Sequence, residues 1–195
     1  MRRHSASSAA CWPAAACDDA PMTRIGPADP ATAPPDSRAL AEAHEAAGAR
    51  MTNMKWTAAR SPETLAMLLT WYPLFDRIAA FLGERRAQLL AHAISDRNEC
   101  LICSTYFRRI LIDAGEDPGA LRLDDEDELI VELGRALADD PHIDDDLYRR
   151  LAARYDEQQL VELAGFGAIM IATNVVNDML GVPLDDYLQP YRKVA

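Results

Sequence analysis

The stretch RAQLLAHAISDRNECLICSTYFRRILIDAGED, residues 86–117, decides the fold. Its apolar residues recur at helical rather than alternating spacing, as in Ile102, Tyr106 and Ile110, which predicts two successive helices with no strand between them. The first covers about Glu84 to Ser95, and the second about Asn98 to Ala114. Asn98 has the chemistry of an N-cap, and Gly115 followed by Pro118 has the chemistry of a helix end. Within the second helix stand Cys100 and Cys103, three residues apart.

The same pattern extends outward. Ser61-Pro62-Glu63 reads as a helix start: a capping serine, a proline where a missing N–H is harmless, and an acid facing the positive helix end. The run from Glu63 to Gly83 is predicted to kink or split before Pro73. Further helices are predicted near Glu126–Ala138, from Asp144–Asp146 to Tyr155, and from Glu157 to Leu180. In the last, the apolar positions are Leu160, Leu163, Ala164, Gly167, Ile171 and Val175, and Gly181-Val182-Pro183 ends it. About six helices with short connections describe an all-α single domain over 55–195.

Residues 1–54 differ. Ala, Ser, Pro and Gly dominate, and Ile25 and Leu40 are their only Leu, Ile, Val or Phe residues, so the segment is expected to be a mostly disordered or non-native extension, with at most a frayed helix over 38–51. Its opening, MRRHSASSAACWPAAAC, lacks the continuous apolar middle of an export signal, and Met22, Met51 and Met54 are alternative starts.

The 195-residue chain carries a net charge of −11. An acidic surface repels nucleic acid and anionic membranes, so neither is an expected partner. The apolar stretch FGAIMIATNVVNDMLG is interrupted by Asn174, Asn177 and Asp178 and is not expected to span a membrane. Cys11 and Cys17 lie far from Cys100 and Cys103, so no shared disulfide framework is expected, and a reducing cytoplasm is the expected compartment.

From the residues alone, Cys100 and Cys103 are either a redox dithiol or two small apolar residues in a core. Placed in the first turn and a half of a helix, they sit where unpaired N–H groups and the helix dipole favour thiolate, and their spacing puts both sulfurs on one face. Arg97 would help a thiolate and Glu99 would oppose it. Zinc is disfavoured, because structural zinc takes four ligands and His92 and His142 are isolated. No cofactor is expected.

From Ser61 to Pro190 the chain resembles the carboxymuconolactone decarboxylase superfamily, and its C-x-x-C resembles the alkylhydroperoxidase D-like branch. The matching stretches are residues 86–117 and DEQQLVELAGFGAIMIATNVVNDMLGVPL, residues 156–184. The resemblance implies an orthogonal all-α bundle and assembly as a dimer, trimer or hexamer. It also implies a peroxide-reducing dithiol in which Cys103 attacks, Cys100 resolves, and an external thiol regenerates the pair. The cysteine pair argues against lactone decarboxylation. The branch's glutamate position falls on Gln88 and its histidine position on Phe107, neither of which moves a proton near neutral pH. His92, one turn beyond Gln88, is the nearest titrating replacement; Glu84 and Glu99 are other carboxylates nearby.

Two functions therefore stand as expectations. One is a thiol-dependent peroxidase or disulfide oxidoreductase, acting on a hydroperoxide or disulfide with an atypical proton relay. The other is a catalytically degenerate helical homo-oligomer with a structural or binding role.

Overall fold

The computed structural model describes residues 23–140 and 142–193. Cys11, Cys17, the opening segment and the alternative start Met22 lie outside the described residues. Among the described residues there is no strand, and the α-helices are α1 Pro35–Ala46, α2 Asn53–Ala58, α3 Pro62–Leu69, α4 Trp71–Leu82, α5 Glu84–Arg97, α6 Leu101–Asp113, α7 Asp125–Asp139, α8 Asp145–Ala152 and α9 Glu157–Leu180, followed by a 3-10 turn at Asp186–Tyr191. They form one compact all-α domain.

Local chemistry sets most of the ends. Ser61 accepts from the Thr64 amide at 3.2 Å, and Asp144 accepts from Leu147 at 2.8 Å. Asp124 with Asp127, and Asp156 with Gln159, close reciprocal capping boxes. The break between α3 and α4 falls at Thr70, so that Pro73 stands in the first turn of α4, where its absent N–H has no intrahelical partner to lose.

Helix α5 is the centre of the domain and packs against α4, α6, α7 and α9. Ala87, Leu90, Ala91 and Ile94 join the main core, while Leu89 and Ala93 pack with Val131 of α7 and Leu111 of α6. The α5–α7 approach needs Gly134: a Cβ there would lie 2.8 Å from Ala93 Cβ and 3.0 Å from the Leu90 carbonyl. At the other end of this pair, buried Asp127 accepts from Arg85 at 2.6 Å and from Arg86 at 2.8 Å.

The extension expected to be disordered up to residue 54 is folded from residue 23 onward. Its few large apolar residues are compensated by long-range partners: Ala41 and Met51 join Leu65 and Leu68 in a second core, and the Arg24 and Ile25 amides both donate to the Leu180 carbonyl at 3.0 Å. The expected boundary at residue 54 falls inside α2.

The buried face of α9 also differs from expectation. Leu163 and Gly167 are buried, but Ala164 and Val175 face outward, and the inward face continues through Phe166, Met170, Thr173, Asn174 and Asn177. Burial against α4, α5 and α6 selects a face with three polar residues, which hydropathy alone does not choose. By length and composition alone, the helical runs 62–82 and 157–180 are apolar enough to cross a membrane, with mean hydropathy 1.3 and 1.5, a test that packed core helices also pass.

Candidate functional site: the dithiol and its pocket

The helix expected to start at Asn98 starts at Leu101. Helix α5 instead runs to Arg97 and ends in a tight reversal: the Glu99 amide donates to the Asp96 carbonyl at 3.2 Å and the Cys100 amide to the Ser95 carbonyl at 3.1 Å. Glu99 takes the left-handed position usually given to glycine, with φ 57°, and is the one described non-glycine residue with positive φ. Cys100 becomes the N-cap of α6 and Cys103 its third residue.

A polar cluster fixes this turn to α9. Asn174 donates to Asn98 Oδ1 at 3.0 Å, Ser95 lies 3.5 Å from Asn174 Oδ1, and Asn98 Nδ2 reaches the Ala138 carbonyl at 3.4 Å. Asn98 is thus a tether between helices rather than a cap.

Both thiols are free and buried, near each other without being at disulfide distance. Asn177 Nδ2 donates to Cys103 Sγ at 3.2 Å and is 3.9 Å from Cys100 Sγ. Cys100 and Asp178, the latter on the solvent side of α9, both act electrostatically on this pair.

The electrostatics oppose the thiolate expected at the helix N-terminus. The hydrogen bond to Cys100, then desolvation, then the charge of Cys100 push the Cys103 thiol well above its ordinary value; Asn177 pulls it down, and Asp178 adds to the rise. Desolvation raises the Asp178 carboxyl, and the bond from Cys100 draws it back.

Only Cys103 of the pair borders the apolar pocket, which encloses about 690 Å³ of empty space including its mouth. Ile102, Tyr106 and Phe107 of α6 line it with Trp71 and Tyr72 of α4, Met170 of α9, and Thr52, Met54 and Lys55 of the expected extension and α2. Phe107 is buried in an aromatic group, 5.1 Å from the Tyr106 ring and 6.3 Å from Trp71 between centroids. The residue at the branch's histidine position therefore shapes the pocket wall.

The other sequence candidates lie elsewhere. Gln88 donates to Glu84 at 3.0 Å, and neither residue lines the pocket. His92 borders a separate polar cavity with Asp96, Arg135 and Lys193, and desolvation lowers its pKa, so it does not replace the absent relay beside Cys103. Arg97 is paired with Asp139 at 2.6 Å, and Glu99 is exposed beside the polar cavity.

Sequence reading missed Asn177, Asp178 and Lys55. The first two were visible only as polar interruptions of the most apolar helix, and a polar pair on a buried helix is a signal for a site. Lys55 is 5% exposed, and desolvation lowers its pKa to about 8. Among the described residues, no group of His, Cys, Asp and Glu is placed to hold a metal ion.

No known family model matches the chain, and comparison with curated proteins finds no match.

Proposed function

We propose that the protein is a thiol-dependent peroxidase or disulfide oxidoreductase in which Cys103 attacks and Cys100 resolves. The observation that carries this reading is the asymmetry of the pair: Cys103 borders the pocket, while Cys100 is fully buried and does not line it. The resemblance to the alkylhydroperoxidase D-like branch agrees with these roles.

In the first step Cys103 loses its proton to solvent, and the thiolate sulfur attacks the outer oxygen of a hydroperoxide. The O–O bond breaks, the alkoxide takes a proton from solvent and leaves as the alcohol, and Cys103 becomes a sulfenic acid. Asn177 stabilises the thiolate, and its Oδ1, buried without a partner, is free to accept the sulfenic proton. Cys100 then gives its proton to Asp178 and attacks the Cys103 sulfur, releasing water and leaving a disulfide. With a disulfide substrate, the same attack gives a mixed disulfide that Cys100 resolves. Two equivalents of an external thiol restore the dithiol and leave as its disulfide, which suits a reducing compartment such as the cytoplasm.

Peroxide treatment of the reduced full chain tests this. The expected product is an intramolecular Cys100–Cys103 disulfide, absent in Cys100→Ser, which stops at the sulfenic acid, and in Cys103→Ser.

A non-catalytic helical assembly is the second reading, favoured by the upward shift of the Cys103 thiol and by Phe107. Its place for self-association is α9, where Val161, Val175 and Met179 are 71%, 56% and 65% exposed. In that case both serine variants keep full function and the same oligomeric state.

A further inference from the structure

The pocket in front of Cys103 is not uniformly apolar. Met54, Leu69, Trp71, Tyr106, Phe107 and Met170 give it a greasy wall, and into this wall the chain places a buried lysine. A buried ammonium is expensive unless something compensates it. Lys55 Nζ donates to the Arg50 carbonyl, lies 2.8 Å from His44 Nε2, and stands 5.0 Å above the centre of the Tyr72 ring. These are neutral or weak partners. The nearby carboxylate, Asp185, is engaged by the Asn53 amide at 3.0 Å and has Arg50 beside it as a second cation. Lys55 makes no ion pair with Asp185, the other charged residue of the lining, and Arg50 stands outside the lining beside that carboxylate.

We propose that the pocket takes a molecule with an apolar body and a carboxylate head, and that Lys55 fixes the head while the body lies against Trp71, Tyr106 and Phe107. The substrate class is then an organic hydroperoxide or disulfide that carries a carboxylate. The identity of the reacting group rests on the dithiol reading above; the binding preference does not.

An anionic head near Lys55 replaces the weak contact with the Tyr72 ring by a charge-assisted hydrogen bond in a site shielded from water. Lys55 is ionised below pH 8 and loses its charge above it, so the preference for an anion falls as pH rises through that value. His44, Tyr72, Tyr106, Asp185 and Tyr187 are the other titratable groups around it, with Arg50 beside Asp185.

The test is calorimetric titration of the full chain, carrying Cys103→Ser so that no redox chemistry intervenes, with octanoate and with octanol. Octanoate is expected to bind at least about tenfold more tightly at neutral pH, equivalent to ~1.4 kcal/mol. The difference should vanish in Lys55→Met and, in the protein that keeps Lys55, shrink well above pH 8. Equal affinity for the two probes, no binding of octanoate, or a preference that survives at high pH overturns the proposal; the last assigns the anion to Arg50. If octanoate binds as expected while peroxide never joins Cys100 to Cys103, the dithiol reading fails and the pocket assignment stands. If the disulfide forms but octanol binds as well as octanoate, the reverse holds.

Discussion

Asn177 reaches Cys103 from the facing helix, Nδ2 to Sγ at 3.2 Å, and is the one neighbour that pulls the Cys103 thiol down against burial and Cys100. Asn177→Leu removes that donor while keeping the volume apolar. Peroxide-driven disulfide formation at neutral pH is then expected to slow by about tenfold, since losing one stabilising bond moves a pKa by about one unit. The check is the rate of disulfide formation at fixed peroxide, with helicity unchanged by circular dichroism.

Asp178 receives the proton of Cys100, so Asp178→Asn should stall the second step rather than the first. Sulfenic acid at Cys103 is expected to accumulate, with resolution slowed about a hundredfold. A sulfenate-specific probe and mass spectrometry read this directly. The resolving step should also show an acid limb above the ordinary carboxylate value of 3.8, because burial raises Asp178, and the limb should be absent from the variant.

Glu99 holds a left-handed conformation with nothing but the turn to justify it, at φ 57°. Glu99→Gly relieves the Cβ strain, partly offset by the larger entropy of an unfolded glycine, for a net gain of about 0.5–1 kcal/mol. The thermal midpoint should rise by about 1–4 °C in a domain of this size. A fall in the midpoint would mean that the Glu99 side chain makes a stabilising contact that outweighs the strain.

Asp127 closes a capping box and binds two arginines of α5 at 2.6 and 2.8 Å. Asp127→Ala leaves these arginines partly able to turn to water, since their side chains are 39% and 28% exposed. The expected loss is therefore about 2–4 kcal/mol, below the full penalty of an abandoned buried pair. Urea denaturation with an unchanged slope measures it.

The helix bodies are legible in the sequence where end chemistry is local: Ser61-Pro62, Asp156 and Gly181 mark boundaries because each acts on its own first or last turn. Helices α1 and α2 are not, because Ala41 and Met51 are buried by partners far along the chain. The dithiol itself is legible as a motif, but its partner is not, since Asn177 is 74 residues from Cys103. The start of α6 is misread for a related reason. Asn98 has the residue type of a cap, yet its side chain binds Asn174 across the helix packing, and the reversal at Glu99 uses backbone bonds that leave no residue signature. Gln88 and His92 share a helix face with each other, but that face points away from the pocket.

The most direct test of the redox assignment is the rate at which an uncharged alkyl hydroperoxide converts reduced Cys100 and Cys103 to the intramolecular disulfide, followed by intact mass across pH. Because Cys100 and burial raise the Cys103 thiol well above its ordinary value, the reaction should be slow at neutral pH and climb steadily as the solution is made alkaline, and it should vanish in Cys103→Ser. If the wild-type protein forms no Cys100–Cys103 disulfide at any pH at which it stays folded, the redox assignment is contradicted and the two cysteines are packing residues.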